Sequence, residues 1–317
     1  MHITVLFFFI VFSIAYLSGF FEGYRKGNLS YNLNGNVALI EFLTQHKIKN
    51  KNYNRTPKEF SSYNKLLVGK KINNKAFFRY EYPLIEYHTG VFETTYSSVE
   101  ISQYVDYYGL QDHLIIKTKD GYRLNSSISE NEFMNKMNKD GWYFNSIGDA
   151  GVDYKYLVKK YSGFASSIAK QIYTGLVKVG KDTYFNRVQA ALNFVQFIPY
   201  GRPDLDAHGW YYHEIGVPPE VFIMGYGDCD SKSVFFASIL VNLIPLENIV
   251  LVECLVKSGN ESTNGAHMMA AVSNLAISGE SITFENNEYL LLETTTPIAI
   301  GKFDWESFQA TSIIGLI

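Results

Sequence analysis

The segment Gly227-Asp228-Cys229-Asp230-Ser231-Lys232-Ser233 holds the densest chemistry in this 317-residue chain. It places a cysteine after a glycine-bounded turn, Gly225 to Gly227, and before Val234, Phe235, Ala237, Ile239, Leu240, Val241 and Leu243. That run is apolar on most sides and reads as a central helix that starts near Cys229 and is stopped by Pro245. A helix N-terminus presents unpaired N–H groups and about half a positive charge. Both lower the pKa of a thiol, and the thiolate is the nucleophile. Asp228 and Asp230 oppose this locally, so a basic partner is required, and histidine is the usual one.

His267, in Gly265-Ala266-His267-Met268-Met269-Ala270, begins an apolar strand and would face the helix terminus if the sheet packs on that helix. A satisfied core histidine is the alternative. A third group must orient the imidazole and fix its tautomer. Glu293 closes Tyr289-Leu290-Leu291-Leu292, where a carboxylate is costly unless paired; a solvated strand end is the alternative. Gln196, at the apolar helix end Phe194-Val195-Gln196-Phe197-Ile198-Pro199-Tyr200, is a candidate donor to a developing oxyanion, or else a solvated helix terminus. Tyr200, Trp210 and Tyr226 are candidates to line a substrate cleft, with simple packing as the alternative. His208 and His213 lie near Asp204, Asp206 and Glu214, but zinc needs three or four placed ligands and loop histidines are more often solvated. No EF-hand pattern and no phosphate-binding glycine loop is present, so no metal and no cofactor is expected.

The elements that must position these residues are legible as patterns. Tyr154, Leu157, Val158, Tyr161, Phe164, Ala165, Ile168, Ala169 and Ile172 recur at three and four and predict a long helix with one buried face. A second helix is predicted from about Thr183 to Gln196, broken by Pro199, Gly201 and Pro203. Pro218-Pro219 suits the first turn of a short helix. Strands are expected over Ile249 to Val256, Ala266 to Leu275 and Tyr289 to Thr296, with Ile282 to Phe284 paired to the last through an Asn286-Asn287 turn. Upstream, Phe77 to Tyr82 and Val91 to Tyr96 have strand composition. Asp120-Gly121 reads as a hairpin turn, Ser129 to Asn138 as a short helix, and Val37 to Leu43 as another.

Composition narrows the classes. Hydrophobic residues make up 47% and charged residues 19%, which describes a globular protein. A net charge of -3 gives no basic field, so no nucleic-acid partner is expected. Two cysteines make neither a disulfide framework nor a zinc cage, and Cys254 sits in an apolar strand-like run where a buried free thiol is expected. Residues 3–21 carry no charge and read as a signal peptide or a membrane-spanning helix, either of which implies an extracytoplasmic enzyme. Arg25 and Lys26 behind that run point the other way under the positive-inside rule; export is the favoured reading. The expected organisation is residues 1–21 as signal or anchor, 22–150 as a small α+β module without chemical motifs, and 151–317 as the catalytic domain.

Taken in order, Gln196 before Ile198-Pro199-Tyr200, Gly227-Asp228-Cys229 at a helix start, Ala266-His267 on a strand, and Glu293 before Thr294-Thr295-Thr296-Pro297 resemble the bacterial transglutaminase-like cysteine peptidase group. The resemblance covers residues 150 to 300. It implies an α+β, papain-like core with the nucleophile helix packed on an antiparallel sheet. It also implies Cys229 as nucleophile, His267 as base, Glu293 as orienting acid and Gln196 at the oxyanion. The family's acid is more often Asp. The chemistry implied is amide-bond cleavage in a protein or peptide substrate through a Cys229 thioester. Acyl transfer to an amine, as in a transglutaminase, is the next expectation, and a non-catalytic cell-envelope binding or assembly module is the third. The fold alone hosts all of these, and the sequence does not set the oligomeric state.

Overall fold

The computed structural model describes residues 67–72, 75–97, 115–118, 121–124, 141–144, 150–201, 215–256, 266–302 and 308–317, with residues 100, 129 and 135. The charge-free segment 3–21, the expected helix over 37–43, all but two residues of that over 129–138, and the aromatic loop with Trp210, His208 and His213 lie outside the described residues. Among the described residues no helix is long and apolar enough to cross a membrane.

Three strands, β1 (Leu67–Ile72), β2 (Lys75–Ile85) and β3 (His88–Ser97), form an antiparallel sheet in sequence order. Two small hairpins follow: β4 (Ile115–Thr118) with β5 (Gly121–Leu124), and β6 (Trp142–Phe144) with β7 (Ala150–Val152). In the first, Thr118 stands opposite Gly121, so Gly121 opens β5 rather than sitting in the expected Asp120-Gly121 turn. β2 and β3 alternate because only one of their faces is covered: Phe78, Tyr80, Tyr82 and Phe92 are buried.

Four helices carry the middle of the chain: α1 (Tyr154–Lys178), α2 (Tyr184–Gln196), α3 (Pro218–Met224) and α4 (Cys229–Leu240). Each has a local cause. Asp153 caps α1 through the Tyr156 N–H, and Thr183 caps α2 through the Asn186 N–H. Pro218 opens α3, and Gly225 ends it at φ 71°, where a side chain would be strained. Leu157, Val158, Ala165, Ile168, Ala169, Ile172 and Leu176 form the buried face of α1. The aromatic face of β2 and β3 meets these helices. The Tyr80 ring lies 4.7 Å from that of Phe194 on α2, Phe92 lies 5.4 Å from Phe222 on α3, and the Tyr80 hydroxyl donates to the Phe194 carbonyl at 3.0 Å.

After a 3-10 turn at Leu246–Asn248 come β8 (Ile249–Val256), β9 (Ala266–Ser273), β10 (Ser281–Phe284), β11 (Asn287–Leu292) and β12 (Phe308–Gly315). They form one antiparallel sheet in the order β10-β11-β9-β8-β12. The β10–β11 turn is Glu285-Asn286, one residue earlier than expected, because both residues take positive φ (48° and 65°), as a two-residue hairpin turn requires. The sheet curls. Phe284 of β10, at one edge, lies against Gly315 of β12, at the other, where an added Cβ would come 3.1 Å from the Phe284 ring. The concave face encloses Val250, Val252, Cys254, Met269, Ala271, Tyr289 and Leu291. α4 packs on β8 and β9 and is surrounded on its other sides by α1, α2 and α3. The fold is thus α+β, with the Cys229 helix packed on an antiparallel sheet.

Candidate active site

Cys229 is the first residue of α4, and Asp228 is its N-cap. The Asp228 carboxylate accepts from the Ser231 N–H at 3.4 Å and from the Ser231 hydroxyl. That hydroxyl in turn accepts the Gly216 N–H at 2.8 Å, which ties the segment before α3 to the helix start. The position of Cys229 is therefore fixed by a cap and by a strand-like pairing just upstream. Gly201 N–H donates to Gly227 O at 3.0 Å, and Gly227 N–H to Pro199 O at 3.2 Å. Tyr200 pairs with Gly227 in this bridge, and the Tyr226 ring packs on Gly201, leaving no room for a side chain there. Tyr200 and Tyr226 thus lie together on the segments that lead into Cys229.

The second turn of α4 is clamped to the sheet. The Ser233 hydroxyl lies 3.2 Å from Met268 O on β9 and 2.9 Å from the Thr294 hydroxyl beyond β11. This registers Cys229 against β9. Backbone N–H groups of Met268, the residue after His267, and of Asp230 pull the Cys229 thiol down. Burial and the charges of Asp230 and Asp228 push the thiol well above its ordinary value, and those two N–H groups only partly offset the push. Asp230 itself is pushed above the usual carboxylate range by burial and by the neighbouring Asp228 carboxyl.

His267 and Glu293 meet. Nε2 of His267 lies 2.8 Å from Glu293 Oε2, and both side chains are mostly buried. The register explains the pair. Leu292 is opposite Ala270, so Glu293 and His267 fall on the same concave face of neighbouring strands. The other oxygen, Oε1, accepts from Thr295 N–H at 2.6 Å and from the Thr295 hydroxyl at 2.5 Å. Burial alone would raise the Glu293 carboxyl. The bond to His267, its charge and the two Thr295 donors outweigh burial and hold the carboxyl below its ordinary 4.5. Across the strand pair His267 faces Cys254, and its ring centroid is 5.5 Å from that of Phe308. Cys254 is a buried free thiol, pushed up to about 12 by burial and by the Glu293 charge.

Gln196 requires a correction. Its Nε2 donates to Glu293 O at 2.8 Å and to Ile298 O at 2.9 Å. Both amide hydrogens go to main-chain carbonyls, so the side chain straps the end of α2 to the acid-bearing loop rather than offering a donor to an oxyanion. Lys232 was not singled out by its motif, although a lysine one turn into a helix apolar on most sides was the available signal. It is fully buried beneath Cys229. Among the described residues no three His, Cys, Asp or Glu side chains gather as metal ligands.

No family model matches the sequence, and no curated protein matches it. Among solved structures the chain is similar to calcium-bound LapG of Legionella pneumophila, at 13% identity and a TM-score of 0.33, over 50% of this chain and 83% of that one. A second LapG structure gives 14% identity and a TM-score of 0.33 over the same shares. The EGTA-treated form gives 13% and 0.32, over 50% of this chain and 81% of LapG.

Proposed function

We propose that this chain is a thiol hydrolase of the transglutaminase-like cysteine peptidase kind, cleaving amide bonds in a protein or peptide through Cys229. One observation carries the reading: His267, on β9 and paired with Glu293 beyond β11, precedes Met268, whose backbone N–H lowers the Cys229 thiol. With Nε2 held by Glu293, Nδ1 is the ring nitrogen that takes the thiol proton. The thiolate adds to the amide carbonyl carbon, and the imidazolium returns the proton to the departing amine. Water then adds to the thioester, giving up a proton to the imidazole, and the cysteine leaves as thiol with that proton. Burial and the flanking aspartates make an isolated thiolate unfavourable, so ionisation is coupled to the charging of His267.

The test is the pH dependence of iodoacetamide alkylation at Cys229, located by mass spectrometry, in wild type and His267→Ala. Fast labelling well below the free-thiol pKa of about 8.5, lost in the variant, supports the triad. A slow, ordinary thiol profile in wild type rejects it. The same outcome would support the second reading, a non-catalytic module of this fold, which the raised thiol at Cys229 favours. The reading includes export through residues 3–21, tested by fractionating cells that express the full chain with and without that segment.

A further inference from the structure

Lys232 is a cation buried without a carboxylate beside it. Its side chain is fully excluded from solvent. Nζ donates to Ile198 O at 2.6 Å, to Thr295 O at 3.2 Å and to Gln196 O at 3.4 Å. Three carbonyls match the three N–H bonds of an ammonium. Two of them, from Gln196 and Ile198, sit at the C-terminal end of α2, where the helix dipole favours a cation. The third belongs to Thr295, whose N–H and hydroxyl hold Glu293 Oε1. Room for the lysine stem depends on Gly227, where a Cβ would stand 3.2 Å from Lys232 Cγ.

We propose that Lys232 is a positioning residue for the triad: its ammonium holds the Glu293-bearing loop and the end of α2 to the turn of α4 that follows Cys229. The inference rests on the thiol-hydrolase reading above. Lys232 acts through Thr295, which acts on Glu293, which orients His267. Removing the proton leaves two N–H bonds for three carbonyls and frees one anchor. The charged groups around it are Glu293 beyond β11 and Asp228 and Asp230 on its own helix; α2 presents only carbonyls. Burial lowers its pKa to about 7, against a smaller opposing pull from Glu293, so the anchor weakens as pH rises through neutrality.

The experiment compares iodoacetamide labelling of Cys229 between pH 5 and 10 in full-length wild type and Lys232→Gln, which keeps N–H donors without the charge. With the thermal unfolding transition retained, Lys232→Gln is expected to lose at least tenfold in labelling rate at pH 6 and to follow an ordinary thiol profile. A wild-type profile in the variant overturns the proposal and leaves the triad standing; an ordinary profile in wild type overturns the triad itself. If Lys232→Gln does not fold, hydrogen exchange in wild type decides. Amides of residues 293–300, corrected for intrinsic rates, are expected to lose at least tenfold in protection between pH 6 and 9, and unchanged protection overturns the proposal.

Discussion

The Gln196 side chain grips the main chain at Glu293: its amide donates to the Glu293 carbonyl at 2.8 Å across 97 positions of sequence, and to Ile298 at 2.9 Å. A residue so placed acts on stability first. Gln196→Leu orphans one buried and one partly buried acceptor, at roughly 1–3 kcal/mol for the buried one, and is expected to lower the urea midpoint accordingly. An oxyanion donor would behave differently, costing about 10²–10³ in turnover with the midpoint unchanged. That second pattern would return Gln196 to the oxyanion.

Glu293 makes the fold acid-sensitive. Its carboxyl titrates lower in the folded chain than its ordinary 4.5. The unfolded chain therefore binds the proton first, and the stability this group supplies is present above about pH 4.5 and fades as pH falls through its folded value. Glu293→Gln is expected to be less stable than wild type at pH 6, with the gap closing toward pH 3. Denaturation midpoints across that range test it, and a constant gap would contradict the assignment.

The aspartates at the start of α4 restrain the thiol. Replacing both, Asp228→Asn with Asp230→Asn, removes the carboxylate charge while asparagine still caps the helix. Labelling of Cys229 at pH 7 is expected to quicken about threefold to tenfold, the size of one lost like-charge neighbour. Slower labelling in a folded double variant would show that the carboxylates help ionisation.

Gly279 and Gly301 touch backbone to backbone. A Cβ at Gly301, where φ is 68°, would stand 2.9 Å from Gly279 Cα. Gly301→Ala meets both the strain and the clash, and is expected to cost about 1–3 kcal/mol, visible as a lowered melting temperature. A wild-type melting temperature would mean that this junction opens without cost.

The sequence discloses what repeats. The i, i+3, i+4 spacing from Leu157 to Ile172 predicts α1, and Thr183 and Asp228 announce their helices as caps. The β9 and β11 runs are apolar and bounded, so the His267 and Glu293 positions could be read from them. Gln196 and Lys232 are different. Their roles depend on carbonyls of residues 293–298, which no local pattern reveals. β12 carries no clear strand pattern for another reason: a bulge between Ala310 and Ser312 shifts its register and breaks the period-two alternation.

β12 also gives the molecule an order of assembly. β8 pairs with β9, and β10 with β11, across connections that are short beside the return from β11 over β9 and β8 to β12 at the outer edge. Closing that long excursion is the slow, entropically costly event in such a topology. Phe308, whose ring lies 5.5 Å from that of His267, arrives with it. A chain caught before that closure has its Cys229 helix but not the aromatic ring beside His267. The surroundings of His267 are then completed only with the last seam of the sheet.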